Sequence, residues 1–231
     1  MADNADFEFS TGIGSVIVGA EVTGGPGGRV GLFTHEGYPD GSTAGSWRLG
    51  EAHNAGDPGG NPREVHWNIR RGAFGWTGCA GSNYAYPYET TVFAGRFENG
   101  TDASYRNAYS ESATVNQYCY CNGSTTDDST SRIRIAAEGH IAGPDYAAAE
   151  FTGKIFFALW VDGYVYSYAD LVYIRDNDLQ PYEICDPDTY DMMYIDFCQD
   201  VAATVTADVQ SGPNAPYTFN VYGTPVKNGG P

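Results

Sequence analysis

The sequence predicts an all-β fold: an antiparallel β-sandwich of jelly-roll-like type, with long Gly/Tyr-rich loops and at most one or two short helices. Three observations predict it. Glycine at 30 residues and tyrosine at 18, in a chain of 231, favour tight turns and half-buried strands over long helices. Runs of β-prone residues recur along the chain, bounded by Gly, Pro, Asn and Asp. Helix start and stop signals are few. Hydrophobic residues at 42% suffice to fill a core. With no internal repeat, linker or break in composition, residues 1–231 are expected to form a single domain.

Phe7 and Phe9 open the chain as an entry strand. Val16-Ile17-Val18 and Val30, Leu32 and Phe33 then flank Gly24-Gly25-Pro26-Gly27-Gly28, the pattern of a loose hairpin. Residues 35–62 are rich in Gly, Pro, Asp, Asn and Ser and read as a long loop with one short strand around Ser46 to Leu49. Val65, Trp67 and Ile69 share one face of the next strand. An aromatic group follows, with Trp76, Tyr84, Tyr86 and Tyr88 set among glycines, and Thr90 to Phe97 is a strand ending at Asn99-Gly100.

The later strands are clearer. Ile133 and Ile135 occupy one face of a strand whose other face carries Arg132 and Arg134. Lys154 to Val161 is a nearly continuous apolar run, expected to be buried on both sides. Asp162-Gly163 then joins it to Tyr164-Val165-Tyr166-Ser167-Tyr168, the strongest hairpin signal in the chain. Leu171 to Ile174, Ala202 to Val209 and Tyr217 to Tyr222 complete the strands. Asp145 to Phe151 and Pro187 to Phe197 are the two short-helix candidates, the second started by Asp186 or Asp188. Residues 227–231 read as a flexible tail.

The charge balance, 12 basic against 29 acidic residues for a net −17, repels phosphate backbones and anionic headgroups. Nucleic acid and membrane surfaces are therefore poor partners. Met1 to Glu8 carries three acids and no basic region, unlike a secretory signal, so a signal already removed or a different exit route is expected. Five cysteines, Cys79, Cys119, Cys121, Cys185 and Cys198, lack zinc-site spacing and are disulfide candidates in an oxidising, extracellular setting, with one thiol left over.

Catalytic and cofactor patterns are absent: no nucleophile elbow, Walker loop, HExxH or EF-hand spacing occurs. His35, His53, His66 and His140 include one set, His53, Asp57, Glu64 and His66, with the composition of a metal or base site, but a solvated strand face explains it more simply. Asp186, Asp188 and Asp191 gather carboxylates densely enough to suggest a weak calcium site, the one cofactor considered. Glu89, Glu98 and Glu150 are the carboxylates a glycoside hydrolase would draw on, and no spacing singles out a pair. Elimination thus favours a non-enzymatic structural subunit of an extracellular assembly, concretely a bacteriophage or viral virion protein such as a capsid decoration, cement or tail component, acting as a homo-oligomer. The alternative is a secreted carbohydrate-binding module whose sugar platform is Trp76, Tyr84, Tyr86 and Tyr88, with a glycoside hydrolase behind it.

Overall fold

Alternating and continuous apolar runs sort this chain into two packed sheets and one covering segment. The computed structural model describes residues 7, 9–24, 29–37, 47–52, 63–70, 76–85, 90–99, 104–110, 119–121, 131–136, 152–177, 184–197, 204–211 and 216–220. Its elements are β1 (Ile13–Gly24), β2 (Arg29–Gly37), β3 (Trp47–Ala52), β4 (Arg63–Arg70), β5 (Trp76–Ala85), β6 (Thr90–Asn99), β7 (Ser104–Ser110), β8 (Cys119–Cys121), β9 (Ser131–Ile135), β10 (Thr152–Asp162), α1 (Tyr168–Asp176), β11 (Asp191–Asp196), β12 (Thr204–Thr206), β13 (Val209–Gln210) and β14 (Thr218–Asn220). No helix among the described residues is long and apolar enough to cross a membrane.

Seven strands form one sheet in the order β13-β11-β10-β1-β6-β7-β8, and five form the other, β5-β4-β3-β2-β9, with β12 and β14 paired separately. Neighbours are antiparallel throughout the two large sheets. The expected antiparallel β-sandwich is the fold. Between the sheets lies a core of Val16, Val18, Phe33, Trp47, Leu49, Trp67, Phe93, Trp160, Met193 and Ile195, joined by Phe7 and Phe9.

The seven-stranded sheet is buried on its other face as well. Ile17, Ala94, Phe157, Leu159, Val161, Met192 and Tyr194 point outward there and meet Tyr166, Leu171, Ile174 and Cys185 from the segment that follows β10. This explains the unbroken apolar run in β10, since both its faces are covered. It also accounts for Lys154 at the strand's early end, where the ammonium reaches Glu21 Oε2 on β1 at 2.9 Å.

Several expectations need correction. The segments before and after the Gly24–Gly28 turn do not form a hairpin: β1 already has β10 and β6 on its two sides, so β2 joins the other sheet between β3 and β9. Asp162-Gly163 does not close a hairpin either, because β10 is flanked by β1 and β11. Gly163, at φ +95°, instead turns the chain onto the outer face, where Leu171 to Ile174 are helical rather than extended. Helix α1 starts at a capping box: Ser167 Oγ accepts from Asp170 N at 3.2 Å, and Asp170 Oδ2 accepts from Ser167 N at 2.7 Å.

Pro187 to Phe197 is a turn followed by β11, not a helix, because Met192 to Ile195 pair along β10. The loop expected over 35–62 is shortened by β2, which runs to Gly37, and by β3 through Ala52. Phe7 and Phe9 are core plugs outside any strand, with Trp47 Nε1 donating to the Phe7 carbonyl at 2.8 Å. Asp145 to Phe151 and the tail 227–231 lie outside the described residues.

Candidate functional site

Where β10 ends, β1 begins and β11 begins, the three strand termini surround an open depression of about 390 Å³. Thr11, Ile13, Asp162, Gly163, Thr189, Tyr190 and Asp191 line it. Its floor is fixed by Asp162, which is buried at 3% exposure. Ser10 Oγ and Thr11 Oγ1 each donate to that carboxylate at 2.6 Å, and Thr11 N donates at 3.2 Å. A buried charge is tolerable only with such donors. Here they also tie the entry turn to the end of β10.

Asp191 sits directly opposite Asp162 in the β10–β11 register. Like charges facing across strands destabilise a sheet, and the donors on Asp162 offset that cost on one side only. The Asp191 side chain is exposed, and its carboxylate accepts no hydrogen bond among the described residues.

The aromatic wall is built from the core outward. Tyr166 is fully buried; Tyr164 packs on it edge-to-face with centroids 4.9 Å apart, and Tyr190 packs on Tyr164 at 5.5 Å. Tyr190 is half-buried at the rim and lies so close to Gly163 that a Cβ there would meet its Cδ1 at 2.9 Å. The ring is therefore braced from two sides. Burial raises the Tyr164 hydroxyl above its ordinary value, with Asp170, Cys185 and Tyr190 adding to the shift, so it stays a neutral phenol at physiological pH. Ile13, 36% exposed, supplies an apolar surface in the same depression.

The turn carrying Thr189 and Tyr190 is held by Asp186. Its Oδ1 accepts from Asp188 N and its Oδ2 from Thr189 Oγ1, both at 2.9 Å, while its carbonyl accepts from the Thr189 and Tyr190 amides. Asp186, Asp188 and Asp191 do not converge, and no group of three or more His, Cys, Asp or Glu forms a metal site among the described residues.

Other sequence candidates scatter. His35 is a core residue, fully buried with its ring 5.7 Å from Trp47 and 6.3 Å from Phe7. Glu64 and His66 lie on β4, while His53, Asp57 and His140 are outside the described residues. Trp76, Tyr84 and Cys79 belong to β5 at the edge of the five-stranded sheet, Cys119 and Cys121 to β8 at the edge of the other. Glu98 lies on β6 opposite Ile13. Tyr86, Tyr88, Glu89, Glu150 and Cys198 are outside the described residues. Cys185 is a buried free thiol, which removes it from the disulfide candidates. Sequence reasoning missed Thr11, Ile13, Thr189 and Tyr190; the only local signals were the Asp162-Gly163 turn and the aspartates around Tyr190.

No family model matches the chain, and no curated protein matches it. Among solved structures it is similar to the carbohydrate-binding module CBM40 of the Ruminococcus gnavus IT-sialidase, bound to α2,3-sialyllactose, at 13% identity and a TM-score of 0.49 over 70% of this chain and 81% of that one. The virion-subunit expectation is corrected here, since that structure is a sugar-binding module and not a particle protein.

Proposed function

We propose that this protein is a secreted, non-catalytic carbohydrate-binding β-sandwich module whose sugar site is the depression at the ends of β1, β10 and β11. The observation that carries the reading is the braced Tyr190 ring beside the exposed Ile13 and the Asp191 carboxylate. A pyranose has one face of C–H groups and a rim of hydroxyls. The first packs on an aromatic or aliphatic surface, and the second donates to carboxylates. A ring already fixed by Tyr164 and Gly163 loses little freedom on binding. Polysaccharides and glycan-bearing surfaces lie outside the cytoplasm, and an extracellular setting goes with the reading.

A glycan array probed with the wild-type chain, Tyr190→Ala and Trp76→Ala tests it. Tyr190→Ala is expected to weaken binding at least tenfold, the loss of roughly 1.4 kcal/mol or more of ring contact, while the melting temperature stays near that of wild type. Trp76→Ala is expected to bind normally. Loss only with Trp76→Ala would move the platform to β5, and an array with no bound glycan would end the carbohydrate reading. Turnover in a polysaccharide hydrolysis screen would end the non-catalytic part.

A further inference from the structure

We infer that the sugar taken by this depression is uncharged and is held through its own hydroxyl protons; the inference rests on the carbohydrate-binding reading and specifies its ligand. Among the described residues, the lining includes two carboxylates and no Lys, Arg or His. Recognition of an acidic sugar requires donors, usually an arginine fork or free backbone amides. Most donors of this site are already spent, the Tyr190 hydroxyl excepted. Thr11 N donates to Asp162, Gly163 N to the Ile13 carbonyl, and Thr189 N and Tyr190 N to the Asp186 carbonyl. The hydroxyl protons of Thr11 and Thr189 go to Asp162 and Asp186.

What the depression offers instead is acceptors. The exposed Asp191 carboxylate accepts nothing among the described residues, and Thr189 Oγ1 keeps its lone pairs when it donates to Asp186. A ligand must therefore bring most of the protons. Sugar hydroxyls do so, whereas a carboxylate or sulfate group brings none and meets two like charges. An amine would bring protons as well, but an ion pair with an exposed carboxylate is weak, and the Tyr190 and Ile13 surfaces match a C–H face rather than a hydrated cation.

Calorimetric titration of the full chain at low ionic strength tests this with three probe sets: lactose, cellobiose and maltotriose as neutral sugars; sialyllactose and hyaluronan oligosaccharides as acidic ones; chitosan oligosaccharides as amino sugars. At least one neutral sugar is expected to bind, the acidic probes about tenfold more weakly or worse. Asp191→Asn is expected to weaken the neutral sugar and narrow the gap to the acidic ones. Acidic sugars binding as tightly as neutral ones, or amino sugars binding about tenfold more tightly, would overturn the inference and leave the carbohydrate reading standing. So would neutral binding that Asp191→Asn and Tyr190→Ala leave unchanged. Binding of no probe at all would overturn both.

Discussion

Cys185 and Tyr166 sit under the aromatic wall, and their chemistry shows how firmly that wall is seated. The thiol is pushed up to about 12, chiefly by burial, with the Asp186 charge adding to the shift and a hydrogen bond with Tyr166 opposing it. Burial also raises the Tyr166 hydroxyl. In the unfolded chain the thiol titrates near its ordinary 9.0. A group whose folded value is raised contributes stability that is whole below the unfolded value and is lost as pH rises through the folded one. Urea unfolding followed from pH 8 upward should thus show stability falling once pH exceeds about 9, and part of that fall should vanish in Cys185→Ala. Iodoacetamide with peptide mapping supplies the control: Cys185 should stay unlabelled at pH 8 in the folded protein and react in urea. Rapid labelling of the native thiol would contradict its seating beneath Tyr166.

Helix α1 is the element whose identity the sequence concealed. Leu171-Val172-Tyr173-Ile174 has the composition of a strand, yet the decisive signal lies just upstream, where Ser167 and Asp170 stand three apart as a capping box. Local propensity lost to a cap and to position: with β10 already paired on both sides, the next segment had no place beside it. The same reasoning explains why Arg132 to Ile135 and Lys154 to Val161 were legible, since period and apolar continuity report burial directly. Ser167 is exposed and Asp170 half-buried, whereas Leu171 and Ile174 are buried beneath the helix, so cap and core act separately. Ser167→Ala should cost about 1 kcal/mol in urea unfolding, with Ser167→Asp recovering most of it. Leu171→Ala should cost about 2–5 kcal/mol. A Ser167→Ala variant as stable as wild type would mean that the box contributes nothing to holding α1 on the sheet.

At the scale of the whole molecule, large rings lie against strand glycines that put no side chain in the way, and one such contact, Trp67 of β4 on Gly95 of β6, joins the two sheets. The sequence reading assigned glycine to turns, but Gly14, Gly19 and Gly95 lie inside β1 and β6, where a Cβ would collide with Phe9, Phe157 and Trp67. The Phe157 and Trp67 partnerships cross long stretches of sequence, so no local window reveals them. The site was hidden for the same reason: Thr11, Asp162 and Tyr190 become neighbours only after β1, β10 and β11 align. Gly95 is the clearest test. A Cβ there would fall 2.2 Å from Trp67 Cε3, and that indole is fully buried with Trp47 5.8 Å and Phe9 6.2 Å from its centroid. The ring has nowhere to retreat, so Gly95→Ala should cost about 3 kcal/mol or more and alter the near-ultraviolet signal of the buried tryptophans. Trp67→Leu alone should also destabilise, through the cavity it leaves. In the double variant the new methyl group occupies part of that cavity, so the combined loss should be smaller than the sum by about 1 kcal/mol or more. Strictly additive losses would mean that the strand backbone and the indole do not share this contact, and the packing of one sheet on the other would then have to rest on different residues.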